Sequence, residues 1–384
     1  MALAALSTAA CAPSDSTGAR ASASTPRPLQ TPLSTSVDTT AGTWATLPMG
    51  HLDDPLNTFW QLFFRPANSS SWSDQVEATA VATNGGLVLA PSAGRSLTVG
   101  IRPSNLLTFS PLITTANAGR SWSNGLIPDG LAASPDALAS SPSGQALALV
   151  GTGASTQILT GTQLSDWHTL ATQKALTSSP AGQACAPTSL NAVAYQGADP
   201  VVAGTCARAG TVGIFVERAG RWQLSGLDLP APLAGDTVQV LALGATAGDL
   251  AGLLALSSVG NGTALAAAWI GNSGSGGNVS APLALLAGER VISEGAVTGG
   301  GWFALLASAS GAARLETVAG PNGRWKALPA PPAGTATVTF DSPSGADALV
   351  ADNTVLTVWT LRPGATAWTK GQVIQVPIEF VSSS

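Results

Sequence analysis

The chain has 384 residues, of which 45% are hydrophobic and only 10% charged, with a formal net charge of −5. No basic run exists to neutralise phosphates, which excludes nucleic acid as a partner. With 43 Gly and 26 Pro turns must be frequent, which argues against a helical bundle and for a β-rich exported protein whose surface is Ser, Thr, Gly and Asn.

Residues 1–10 are small and apolar and stop at Cys11. This stretch resembles the end of a bacterial lipoprotein signal peptide, with Ala9 and Ala10 at the two small positions before the cysteine. Thr8 stands where Leu is usual, and no positive charge precedes it. The resemblance implies that residues 1–11 are a signal segment ending at a lipidated Cys11. The protein would then be extracytoplasmic and touch the membrane through its lipid anchor only. An ordinary signal peptide and a secreted protein are the alternative. No other stretch is long and apolar enough to span a bilayer. Residues 12–43 are mostly Ser, Thr, Ala and Pro without apolar period; they cannot offset their ordering entropy, and a disordered tether is expected.

From Trp44 to residue 384 short apolar runs alternate with Gly, Pro, Asn and Asp, the all-β pattern. The most informative stretch is Thr115–Trp122, in which Asn117 can close a tight turn onto backbone N–H groups and Gly119 can take a positive φ. Trp122 can swing back over the hairpin. The stretch resembles the Asp-box, or BNR repeat, of sialidase-like β-propellers, with Thr115, Asn117, Gly119, Ser121 and Trp122 at the motif positions and Asn in place of Asp. Worn copies end at Trp72, Trp167, Trp222, Trp325 and Trp368, and Ser280 occupies the corresponding place in one further copy. These positions recur every 43–58 residues, the length of a four-stranded blade. The expected fold is therefore a single β-propeller of about seven four-stranded blades over residues 44–384, with six or eight as alternatives. The first blade has little sequence before residue 58, so Gln372–Phe380 is expected to complete it beside Trp44–Pro48.

Cys185 and Cys206 are close enough in sequence to be bridged, which an oxidising compartment would favour; two unpaired buried thiols are the alternative. His51, in His-Leu-Asp-Asp, reads as a polar turn, because a metal site needs three or four converging ligands. His168 follows Trp167 on an outer strand, where solvent should reach it. No metal or cofactor is expected. The resemblance to sialidases implies three arginines gripping a carboxylate, a tyrosine nucleophile with a glutamate, and an acid. Phe64-Arg65-Pro66 is a faint echo of the first arginine motif, Arg102 and Arg314 are the remaining candidates, and Tyr195 is the single tyrosine. Nothing in the neighbourhood of Tyr195 supplies its glutamate, so no catalytic residue is assigned. The expected function is a non-catalytic binding or scaffold module for a protein or cell-envelope glycan, as a monomer. A divergent sialidase-like glycoside hydrolase is the alternative. The recurrent Trp residues read as packing, and Trp60, Trp269, Trp302 and Trp359, within apolar runs, as core.

Overall fold

A computed structural model of the chain describes residues 34–51, 58–75, 85–92, 94–102, 108–132, 136–162, 164, 166–246, 249–258, 262–271 and 276–377. Cys11 and the expected signal segment lie outside the described residues, as does the expected tether up to residue 33. The described strands form five four-stranded antiparallel sheets and one nine-stranded sheet. The nine-stranded sheet is two blades joined by the single pair Thr205↔Gln239, between the second strand of blade four and the innermost strand of blade five. The fold is all-β, with seven blades among the described residues.

Each blade starts with an innermost strand. In chain order these are Thr35–Thr39, Leu87–Pro91, Leu138–Ser140, Pro187–Gln196, Thr237–Thr246, Arg290–Val297 and Thr335–Ser342. The chain then zigzags outward, and tight turns of matching twist let it do so: Ala219 and Gly220 both have positive φ (52° and 78°) between the paired Arg218 and Arg221. One face of a four-stranded sheet cannot bury itself, so successive blades stack on one another, and each apolar cluster spans a seam between neighbours. Leu62 and Phe64 of blade one, for example, share a cluster with Leu97 and Val99 of blade two.

The turn-end tryptophans explain the repeat. Trp72, Trp122, Trp167, Trp325 and Trp368 each stand immediately before the outermost strand of their blade, and Trp222 stands within it. Each packs onto the seam with the preceding blade: Trp122 stands edge-on to Trp44 of blade one at 5.9 Å, and Trp368 of blade seven packs on the cluster of blades six and seven. In blade five the buried Ser280 replaces the indole, its hydroxyl accepting from Ala267 N and donating to Ala281 O, both at 3.0 Å. Trp60, Trp269 and Trp302 are buried as expected, and Trp359 is half-buried against the blade six–seven cluster.

Two expectations are corrected. The propeller begins at Thr35, inside the stretch assigned to the tether, and Thr35–Thr39 pairs with Gly42–Gly50. Its polar composition hid it, because an innermost strand beside a channel needs no continuous apolar run. Blade one is thereby complete from the N-terminal side, and the C-terminal strand does not enter it. Gln372 lies in Thr369–Gln375, the outermost strand of blade seven, paired with Val355–Leu361; residues 378–380 of the proposed closing strand lie outside the described residues.

The ring closes mainly through side chains, beside one backbone bridge between Gly50 and Asn353. Arg65, on the third strand of blade one, donates to Asp347 Oδ2 of blade seven at 3.0 Å and to Thr43 Oγ1 at 3.2 Å, and pairs with Asp341. Trp72 Nε1 donates to the same Asp347 oxygen at 3.0 Å, and Thr360 Oγ1 to the other at 2.7 Å. Gln372 imitates a strand: its amide accepts from Trp72 N and donates to Trp72 O, both at 2.8 Å.

Candidate binding channel

The seven innermost strands surround a cavity of about 640 Å³ to which every one of them contributes. An innermost strand has an unpaired edge, so its backbone groups must find partners across the channel. Neighbouring blades supply them. Ser36 Oγ donates to Val338 O at 3.2 Å, Thr298 Oγ1 to Phe340 O at 3.0 Å, and the Ser293 and Thr337 hydroxyls meet at 2.7 Å.

Asp136 makes the longest reach. It precedes the innermost strand of blade three, yet its carbonyl accepts from Val193 N of blade four at 2.8 Å and its Oδ2 from Leu243 N of blade five at 3.1 Å. Its surface is partly open to the channel, but protein walls it on all sides, so it is wetted without being well solvated. Burial pushes its carboxyl up to about 7, the Leu243 N–H only partly offsetting this.

Glu294, on the innermost strand of blade six, lines the same cavity and feels the Asp136 charge. It is 3% exposed. Burial first, and then the Asp136 charge, hold its carboxyl well above the usual range. The buried Trp302 indole is turned toward this carboxyl and eases its ionisation slightly. The two nevertheless do not meet in hydrogen-bond geometry, and Glu294 Oε2 and Trp302 Nε1 are both buried without a partner. The Trp302 indole packs closely on Gly244, where a Cβ would stand 3.2 Å from its Cη2.

At the blade-one side of the cavity stands Asp38. Its side chain is exposed to the cavity, yet the surrounding protein limits its solvation enough to raise its carboxyl, the Thr43 hydroxyl and Arg65 counter this, and Asp341 adds to the rise. Thr43 Oγ1 donates to Asp38 Oδ1 at 2.7 Å. Among the described residues that line the cavity there is no Lys, Arg or His.

The sialidase-type residues are not brought together. Arg65 is spent in the seam of blades one and seven. Arg314 is gripped in blade six by Glu289 at 2.7 Å and Glu316 at 2.9 Å. Arg102 follows the second strand of blade two, where burial lowers its guanidinium. Tyr195 does line the channel, but its phenol is packed among the residues of blades three and four. Burial pushes it up to about 12, with the Thr160 hydroxyl offsetting a little, and it makes no hydrogen bond of ordinary geometry.

His51 and His168 are both exposed. Cys185 and Cys206 are joined in a disulfide, Cα to Cα 5.0 Å, at the base of the first hairpin of blade four. Two short helices, Gln173–Ser178 and Pro180–Cys185, lead into it. A disulfide belongs to an oxidising, extracytoplasmic compartment. No helix among the described residues is long and apolar enough to cross a membrane. In the Thr115–Trp122 turn, Thr115 Oγ1 accepts from Gly119 N at 2.9 Å and Asn117 Oδ1 from Ser121 N at 2.9 Å.

Sequence reasoning missed Asp136 and Glu294. A signal existed: in a chain with so few charges, an acid inside an apolar first strand such as Glu294-Gly-Ala-Val297 has to face something polar. Trp302 was assigned to the core, and its polar edge was overlooked.

No protein-family model matches the sequence, and no curated protein matches it either. Among solved structures, a putative 6-phosphogluconolactonase from Bacteroides uniformis superposes with a TM-score of 0.51 at 12% identity, over 86% of this chain and 96% of that one. A six-bladed lectin from Aleuria aurantia gives 0.42 at 13%, over 91% and 96%. The fold is a β-propeller. A prolyl endopeptidase gives 0.48 at 11% over 91% of this propeller, which spans only 51% of that enzyme's length.

Proposed function

We propose that the propeller is an exported, non-catalytic binding module that receives a segment of a protein or cell-envelope glycan at its central channel. The observation that carries this reading is the cavity of about 640 Å³, walled by all seven innermost strands and edged by buried polar atoms without partners. Its size is that of a ligand site, and orphaned buried polar groups are costly unless something completes them. Lipidation at Cys11 would hold the disc, as a monomer, at the membrane surface behind its N-terminal segment. The Thr115–Trp122 hairpin, read as an Asp-box with Asn117 in place of Asp, would place the propeller in the sialidase-like group.

Affinity capture from solubilised envelope extract tests this. Wild-type protein is expected to retain a defined component, and a double variant Asp136→Ala/Glu294→Ala to lose it. Equal retention by both, or by neither, contradicts the channel as the binding surface. The second reading, a sialidase-like glycoside hydrolase, is favoured by Tyr195 and Glu294 lining one cavity. It lacks the arginines that would hold a carboxylate there. Turnover of an aryl sialoside that disappears in Tyr195→Phe would restore it.

A further inference from the structure

The wall between blades five and six brings the Trp302 indole toward the Glu294 carboxyl, and the two stop short of hydrogen-bond geometry. Trp302 Nε1–H can only donate, and Glu294 Oε2 can accept; both are buried, both lack a partner, and both residues line the channel. Each is expensive to leave unmade. A hydroxyl group completes such a pair in one step, because its oxygen accepts while its hydrogen donates.

Charge narrows the ligand. The cavity lining carries Asp38, Asp136, Asp249 and Glu294 and, among the described residues, no cationic side chain. A carboxylate-bearing sugar would meet like charge with nothing to grip it. An ammonium group could use the carboxyls but would oppose the indole N–H and leave it orphaned. Burial and the neighbouring Asp136 hold the Glu294 carboxyl above the usual range, so Glu294 itself calls for no counter-ion.

We propose that the channel floor beside Glu294 and Trp302 is a subsite for an uncharged sugar, one hydroxyl of which accepts from Trp302 Nε1 and exchanges a hydrogen bond with Glu294 Oε2. This rests on the channel being the binding surface and narrows its ligand to the neutral-glycan class. The Leu243 and Val193 side of the cavity provides apolar wall for the sugar's C–H face.

The test is calorimetric titration of the full chain with the methyl glycosides of glucose, galactose, mannose, fucose and N-acetylglucosamine. Sialic acid, glucuronic acid and methylammonium serve as controls. At least one neutral glycoside is expected to saturate with a Kd on the order of 1 mM, and Glu294→Ala and Trp302→Phe each to weaken it at least tenfold. Circular dichroism melts check that both variants fold. If Trp302→Phe does not, Glu294→Ala decides. Binding unchanged in the folded variants, no saturation by any neutral glycoside, or saturation by methylammonium alone overturns the subsite. Extract capture by the Asp136/Glu294 double variant separates the two levels. If wild type loses its envelope component on that substitution but binds no neutral glycoside, the module reading stands and only the sugar subsite falls.

Discussion

Arg65 Nη1 donates to Asp347 Oδ2 at 3.0 Å, linking the third strand of blade one to the second strand of blade seven with both side chains almost fully buried. Arg65 also stacks over Trp72, its guanidinium carbon 5.3 Å from the ring centroid. Among the described residues no strand is exchanged between the first and last blades, and this cluster, the Trp72–Gln372 amide pair and the Gly50↔Asn353 bridge contribute polar contacts to the closure.

Removing one partner leaves the other charge buried and unpaired. Arg65→Ala should therefore destabilise by about 3–5 kcal/mol. The double variant Arg65→Ala/Asp347→Ala should recover part of that loss in urea denaturation. Strict additivity of the two single costs would mean that the pair does not couple.

The channel carboxyls predict a pH dependence of stability. Asp136 has a carboxyl raised from an ordinary 3.8 to about 7, and Glu294 is raised as well. A group whose folded pKa is raised holds its proton more tightly in the folded state. Its stabilising contribution is complete below about pH 4 and is lost as pH rises through about 7. Asp136→Asn keeps an acceptor for Leu243 N and removes the ionisation. It should raise stability relative to wild type by roughly 2 kcal/mol more at pH 8 than at pH 4, with part of the gain already present at pH 5. A variant with the wild-type pH profile would show that Asp136 does not carry it.

The Cys185–Cys206 disulfide spans 21 residues. The double variant Cys185→Ala/Cys206→Ala should lose about 3 kcal/mol. Alkylation of denatured, unreduced protein should leave both cysteines unlabelled.

The turn at Thr115–Trp122 touches its neighbour closely. A Cβ on Gly119, whose φ is 80°, would stand 2.4 Å from Gln75 Oε1 and 3.1 Å from Trp44 Cη2 of blade one. Gly119→Ala should cost more than about 1 kcal/mol from the φ alone. Asn117→Ala should cost a similar amount, because Ser121 N loses its acceptor. Thermal melts of the two variants read this directly.

Where the fold was legible in the sequence, repetition made it so. Trp72, Trp122, Trp167, Trp222, Trp325 and Trp368 mark one position in successive hairpins, and seam packing requires a large apolar group at that position whatever the blade's other residues are. Ser280 shows that a buried hydroxyl can close the same hairpin. Thr35–Thr39 was illegible because an innermost strand borders a polar channel and borrows its partners from other blades, so it carries no apolar period. The ring seam was hidden for a related reason: Arg65, Asp347 and Gln372 are hundreds of residues apart or joined only across blades, and no local pattern connects them. The channel site was least legible of all. Asp136, Leu243, Glu294 and Trp302 come from blades three, five and six, and only the closed ring brings them together.

The channel as the binding surface is tested most directly by hydrogen–deuterium exchange of the full chain with and without the envelope component it captures. Protection is expected in the innermost strands, above all at Val193–Gln196 and Glu294–Val297, with the outermost strands unchanged. Protection confined to the outermost strands or to the blade rims, with the innermost strands exchanging as in the unbound protein, would contradict it.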